Sequence, residues 1–233
     1  MPHEFITRLE AAPRPLIMEI KKRSASGRDL FAGREVADLV AAYEEAGAPC
    51  LSVVTGRWFG GDERLFTAVR ELTDLPLLKK DFITTRRQLD RAADAGAAAV
   101  LLTAALLPGD VLGRLIAEAR ERALVAFVEV AGPTEADRVE PAEGVVVAVN
   151  NKDIQERERG AAHIARSAAL LPGLRAAGHE CVVSASGIAE PAVGAALVGA
   201  GYDGLLIGTA LLEAPAPADW VAGFDRALQV EAA

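Results

Sequence analysis

A glutamate and a lysine two residues apart, Glu19 and Lys21, stand at the end of the apolar run Leu16–Ile20. Lys22, Arg23 and the loop Ser24-Ala25-Ser26-Gly27 follow. In an extended strand, side chains i and i+2 share a face, so carboxylate and ammonium project together. The hydroxyls and the glycine-permitted turn behind them suit an anion. The chemistry such a group could do is proton transfer beside a phosphate seat. Taken alone, the segment reads equally well as a surface ion pair ahead of a polar loop.

The elements that must position these groups are legible along the whole chain. Apolar runs of strand length recur at Leu16–Ile20, Cys50–Val54, Leu75–Leu78, Ala97–Leu102, Leu124–Val130, Val145–Val149, Cys181–Val183 and Gly204–Ile207. They are near-continuous rather than alternating, as parallel strands buried on both faces are. Helical patterns fall between them: Arg34–Ala46, Glu63–Leu72, Thr85–Ala95, Asp110–Arg122, Pro133–Val139, Ala161–Leu171, Pro191–Gly199 and Pro217–Val230. Three of these close in similar fashion, at Glu45-Ala46-Gly47, Asp94-Ala95-Gly96 and Gly199-Ala200-Gly201, and run at once into an apolar strand. Glycine there ends a helix. Eight β-loop-α-loop units predict a closed (β/α)₈ TIM barrel, class α/β, as one domain over residues 1–233. No Gly-x-Gly-x-x-Gly follows the first strand, which argues against an open dinucleotide fold. Gln155–Gly160 is expected to be an exposed loop.

A barrel of this kind carries its chemistry at the C-terminal ends of its strands. Read in order, those positions hold Glu19 and Lys21, then Thr55 to Gly61, then Lys79-Lys80-Asp81-Phe82, Leu101 to Thr103, Glu129, Asn150 to Asp153, Ser184 to Gly187, and Gly208-Thr209. Two carboxylates, Glu19 and Glu129, and two ammoniums, Lys21 and Lys80, would converge on one mouth. Charges there must pair, and pairing shifts proton affinities toward acid/base use. The same residues could instead form ion pairs that merely tie strand ends together. Ser186-Gly187 and Gly208-Thr209, after the seventh and eighth strands, occupy the usual phosphate position, with Ser24 and Ser26 closing the shell from the first loop. Phe59, Phe82, Leu101 and Ile154, with Trp58 beside them, would line an apolar slot fit for an aromatic ring.

Composition narrows the class. The chain has 233 residues, 51% hydrophobic and 25% charged, with a net charge of −8. That balance gives no general affinity for nucleic acid. No run reaches the length of a membrane span and no signal-peptide core stands at the N-terminus, so a cytoplasmic protein is expected. Cys50 and Cys181 lie in apolar runs without metal-ligand spacing and are expected to be buried free thiols. His3, His163 and His179 form no metal pattern.

Together these segments resemble the indole-3-glycerol phosphate synthase family of tryptophan biosynthesis. The resemblance rests on EIKKRSASG from Glu19, AYEEAGAPCLSVVTGRWFGGD from Ala42, LPLLKKDFI from Leu75 and AGAAAVLLTAALL from Ala95. It continues through FVEV from Phe127, VAVNNKDI from Val147, SASGI from Ser184 and GLLIGTALL from Gly204. The resemblance implies a barrel of the ribulose-phosphate-binding type. It implies decarboxylating, dehydrating closure of 1-(2-carboxyphenylamino)-1-deoxyribulose 5-phosphate to indole-3-glycerol phosphate, carbon dioxide and water. Lys80 would be the general acid, and Lys21 would meet the substrate carboxylate and share acid duty. Glu129 would be a base or cation stabiliser, Glu19 would complete the acid/base set, and Asn150 would orient substrate hydroxyls. Ser24, Gly187, Gly208 and Thr209 would hold the phosphate with Ser186 beside them. Phe59, Phe82, Leu101 and Ile154 would flank the ring, with Lys152 at its edge. No metal or organic cofactor is implied. The partner is a phosphorylated small molecule, with no nucleic acid or membrane, and a monomer is expected.

The chain departs from the family pattern in four places. Ala185 stands where the family usually has glutamate. Ser24-Ala25-Ser26 replaces a usual Ser-Pro-Ser. Most of the family's N-terminal helical extension is expected to be lacking. The segment after Asp153 is unusual, and Lys152 replaces a common arginine. Two alternatives therefore stand beside the synthase: a specialised relative acting on a modified anthranilate adduct in secondary metabolism, and a non-catalytic barrel that binds phosphate ligands.

Overall fold

The computed structural model describes residues 3–152 and 162–231. Eight parallel strands close in sequence order into a barrel: β1 Leu16–Ile20, β2 Cys50–Val54, β3 Leu77–Lys80, β4 Ala99–Thr103, β5 Val125–Val130, β6 Val145–Asn150, β7 Cys181–Ala185 and β8 Gly204–Ile207. The helices are α1 Glu4–Ala11, α2 Val36–Glu45, α3 Glu63–Leu72, α4 Arg86–Asp94, α5 Val111–Glu121, α6 Pro133–Ala136, α7 Ala165–Ala176, α8 Pro191–Gly199, α9 Thr209–Glu213 and α10 Pro217–Glu231. The predicted (β/α)₈ barrel is therefore the fold. No helix among the described residues is long and apolar enough to cross a membrane.

Every strand residue is buried, because one face meets the barrel interior and the other meets helices. Alternation sorts the two faces. Ile17, Cys50, Leu78, Leu101, Phe127, Ala148, Val183 and Leu206 point inward and form one apolar cluster. Met18, Leu51, Val100, Val128, Val147 and Leu205 point outward and pack under the helices. Cys50 and Cys181 are free, buried thiols in the inner cluster, and burial raises both above the usual thiol range.

Several local outcomes differ from the sequence expectation, the unpredicted short helix α9 among them. The third strand runs two residues further than predicted, to Lys80, and starts later because Pro76 has no N–H for the ladder. Its carbonyl still accepts from Leu51. The seventh helix continues through Pro172 to Ala176; buried Leu170, Leu171 and Leu174 hold its far turns against the barrel at the cost of one backbone bond. The sixth helix is a single turn instead of seven residues. Finally, α1 was not expected. Phe5 and Leu9, four apart, put one face of it into the barrel floor, where both are fully buried. Phe5 meets Phe127 edge-on at 6.4 Å, and Leu9 occupies the space a side chain at Gly204 would need, 2.9 Å away. Burying each is worth about 1.5–3 kcal/mol. The N-terminal end of the barrel is thus stoppered, and the open end is the C-terminal one.

Candidate active site

At the open end, alternate strands send in Glu19 from β1, Lys80 from β3, Glu129 from β5 and Ala185 from β7. Glu19 is 2% exposed, and two ammoniums grip it. Lys21 Nζ lies 3.0 Å from Oε1 and Lys80 Nζ 3.1 Å from Oε2. Burial alone would raise this carboxyl, but Lys21 and Lys80 outweigh it and bring it down to about 2. Tyr43 O–H donates to the Glu19 carbonyl at 3.0 Å and fixes the strand end from outside. Lys21 Nζ also sits 5.4 Å from the centre of the Phe59 ring, an attraction that desolvation strengthens.

Glu129 is held differently. Asn150, at the end of neighbouring β6, donates from Nδ2 to its Oε1 at 2.8 Å. The Asn150 carbonyl oxygen of the side chain accepts from the Lys152 N–H at 2.9 Å, and Arg166 donates to the Asn150 backbone oxygen. Beneath lies a buried polar knot that the sequence reading did not single out. Asn151 donates to Ser184 Oγ and to the Ala185 and Ser186 carbonyls at 3.1, 3.1 and 3.2 Å, and accepts from Ser167 Oγ at 2.8 Å. Tyr202 O–H completes it on the Ser167 carbonyl at 2.9 Å. The knot ties β6 to β7 and sets the geometry of both loops. The Asn150-Asn151 doublet was the only sequence signal for it.

Two recesses flank this charged layer. The first is a cavity of about 360 Å³ lined by Glu19, Lys21, Lys152, Ser186, Gly187 and Gly208, with Thr209 at its edge. Its walls come so close that only glycine fits. A Cβ at Gly208 would lie 2.5 Å from Glu19 Oε1, and one at Gly187 (φ +73°) would lie 2.2 Å from the Ala162 methyl. Ser186 itself adopts φ +67°, a left-handed conformation that is costly for a residue with a side chain. Glu213 also lines the cavity and pairs with Arg28 across its lip; neither was anticipated, and no local pattern marks them.

The second recess is a slot of about 20 Å³ between Phe59, Phe82, Leu101, Lys80, Asp81 and Glu129. Asp81 locks its wall: Oδ2 accepts from Thr55 O–H at 2.9 Å and Oδ1 from the Phe82 N–H at 2.8 Å. Trp58 braces Phe82 edge-on at 5.1 Å. A larger recess, about 670 Å³, lies outside the barrel between Arg57, Arg64, Lys79 and Arg91. Its buried lysine is already paired with Glu63, and of its lining only Asp81 and Phe82 also line the slot, so it lies off the charged layer.

Most of the residues singled out in the sequence therefore share one mouth. Two placements differ. Lys152 lines the anion cavity and is not among the residues of the aromatic slot; its N–H donates to the Asn150 side-chain oxygen. Ser24 does not line the cavity: its hydroxyl is engaged by Ser26 at 2.8 Å and by the Arg28 N–H at 3.1 Å within its own loop. Ile154 lies outside the described residues. Among the described residues no three His, Cys, Asp or Glu side chains gather as a metal would require.

Comparison with known proteins points one way. Residues 2–222 match the family profile of indole-3-glycerol phosphate synthase. The indole-3-glycerol phosphate synthase of Pyrococcus furiosus is 35% identical over 221 residues, covering 94% of each chain. That of Halobacterium salinarum is 36% identical over 86% of this chain and 76% of its own, and that of a Nocardioides species is 37% identical over 91% and 80%. The chain belongs to the indole-3-glycerol phosphate synthase family.

Proposed function

We propose that this protein closes the pyrrole ring of 1-(2-carboxyphenylamino)-1-deoxyribulose 5-phosphate, releasing carbon dioxide and water and forming indole-3-glycerol phosphate. The observation that carries the reading is one carboxylate gripping two ammoniums between an anion cavity and an aromatic slot. The ring carbon bearing the carboxylate attacks the ketose carbonyl carbon. A C–C bond forms, the carbonyl π pair moves to oxygen, and that oxygen takes a proton. Lys80, at the edge of the slot, supplies it. A positioned ammonium both neutralises the developing oxyanion and delivers the proton. The carboxylate then leaves as carbon dioxide, its bonding pair restoring the aromatic ring. Lys21, which lines the anion cavity and lies over the Phe59 ring of the slot, steadies the carboxylate until then. The new hydroxyl takes a second proton, from Lys21, and departs as water, while a proton lost from the ring-closed intermediate gives the indole.

Glu129 receives that proton, with Asn150 holding its carboxylate and meeting the substrate hydroxyls. Glu19, with its carboxyl near 2, stays ionised at neutral pH and is a poor proton carrier. Its part in the acid/base set is to keep Lys21 and Lys80 charged and aimed. Ser186, Gly187, Gly208 and Thr209 seat the phosphate, with Lys152 as countercharge and Ser24 bracing the first loop. Phosphate binding supplies remote energy that orients the reacting carbons. Phe59, Phe82 and Leu101, with Ile154, flank the ring. The reading carries with it a cytoplasmic monomer that needs no cofactor.

Giving the purified protein the carboxyphenylamino substrate, and following indole fluorescence with carbon dioxide release, tests this. Equal amounts of the two products are expected. Binding without turnover would assign the barrel to ligand binding instead. Ala185, fully buried in the charged layer, favours a second reading, a relative specialised for a substituted anthranilate adduct; turnover confined to substituted analogues would support it.

A further inference from the structure

Thr103 ends β4 with its side chain inside the barrel. Ala99 and Leu101 belong to the interior cluster and Val100 and Leu102 to the outer one, so alternation turns Thr103 to the mouth. Its partner across the parallel ladder is Glu129, which faces inward for the same reason, Val125 and Phe127 being interior. Thr103 is 5% exposed, and its Oγ1 is buried without a hydrogen-bond partner among the described residues. A buried hydroxyl left this way is destabilising. A methyl group of the same shape would avoid that cost, so the oxygen needs an occupant.

The surroundings indicate which one. Strand β5 has two neighbours. From β6, Asn150 already donates to Glu129 Oε1 at 2.8 Å. From β4, the side chain in register with the same carboxylate is Thr103. The other groups lining the slot beside Glu129 are Lys80 and Asp81. Lys80 is bound to Glu19, and Asp81 accepts from Thr55 and from the Phe82 N–H. Beyond Lys80 stand Glu19 and Lys21, and Lys152 follows Asn150 on the β6 side. Thr103 is thus a hydroxyl donor in register with a carboxylate on the neighbouring strand.

We propose that Thr103 is a positioning residue for Glu129: its hydroxyl donates to the carboxylate from β4 while Asn150 donates from β6, so that the two clamp its plane and favour its ionised form. The inference rests on the reading that Glu129 takes part in acid/base work, but the contact itself can be measured without turnover. A hydrogen bond to the charged form lowers a carboxyl's proton affinity, so its loss raises it.

The test compares full-length wild type with Thr103→Val, which keeps the shape and loses the hydroxyl, and Thr103→Ser, which keeps the hydroxyl. Carboxyl ¹³C NMR of Glu129 in the ligand-free protein, assigned with Glu129→Gln, is expected to titrate about half a pH unit higher in the valine variant and within ~0.2 units of wild type in the serine variant. If the wild type forms indole-3-glycerol phosphate, kcat is expected to fall about tenfold in Thr103→Val, with KM within about twofold, and to return in Thr103→Ser. Unchanged Glu129 titration in Thr103→Val overturns the proposal, whatever the turnover. A titration shift without wild-type turnover upholds the contact and removes the functional reading instead. A fall in thermal stability alone, with titration and kcat unmoved, marks Thr103 as packing and also overturns it.

Discussion

The two halves of the mouth are built on opposite plans. On the β7–β8–β1 side the backbone does the work: glycines at 187 and 208, a left-handed serine at 186, and a cavity of about 360 Å³ that is already open. On the β2–β5 side, side chains do it: Phe59, Phe82 and Leu101 close over Lys80 and Glu129, leaving about 20 Å³. A phosphate is small and always charged, so a rigid seat made of backbone costs little to keep ready. A ring bearing a leaving carboxylate needs water excluded, and a slot that opens only around it does that. The ion triad of Glu19, Lys21 and Lys80 lies on the seam and belongs to both halves.

The largest expected effect isolates the slot. Lys80→Met should lower kcat about 10³-fold or more by removing the proton donor, while inorganic phosphate still binds as in wild type by calorimetry. Equal losses in phosphate affinity would show that the halves are not separable. Next comes the seam. Glu19→Gln leaves two buried ammoniums without their carboxylate and should destabilise the fold by about 3–5 kcal/mol in urea unfolding at pH 7. The sign with pH follows from its depressed proton affinity, from an ordinary 4.5 to about 2. The charged form's contribution is complete above 4.5 and fades as pH falls toward 2. The gap between wild type and Glu19→Gln should therefore narrow across that window, and a constant gap would contradict the pairing.

Gly187→Ala attacks the cavity alone. Its Cβ would lie 2.2 Å from the Ala162 methyl at a φ of +73°, so KM should rise about tenfold with kcat within about threefold. A kcat loss without a KM change would place Gly187 in the chemistry. The smallest effect is expected for Ala185→Glu. It adds a carboxylate to the fourth strand of the charged layer, among ammoniums already shared with Glu19, and should raise kcat by about twofold to fivefold. An unchanged or lower rate would show that this position does not limit turnover.

Much of the barrel was legible because parallel strands buried on both faces leave continuous apolar runs. Strands β1, β2 and β8 and helices α3 and α8 fall where the pattern put them. The charges at strand ends were legible for the same reason: a lysine such as Lys80 closing an apolar run is conspicuous. What stayed hidden depends on contacts across the fold. The resemblance set Lys152 at the edge of the ring, and the fold lines the anion cavity with it. The contacts the Ser24 hydroxyl makes within its own loop, to Ser26 and to the Arg28 N–H, had no sequence signal either. The Asn151 knot, the Arg28–Glu213 pair and the α1 stopper join residues far apart in sequence, and no local periodicity encodes such pairs.

Bound product gives the most direct test. A crystal structure with indole-3-glycerol phosphate should show the phosphate against Gly187, Gly208 and Thr209, with Lys152 beside it. The indole should lie between Phe59, Phe82 and Leu101, within reach of Lys80 and Glu129. Phosphate lodged in the outer recess by Arg57 and Arg91, or an indole ring outside the slot, would contradict the account.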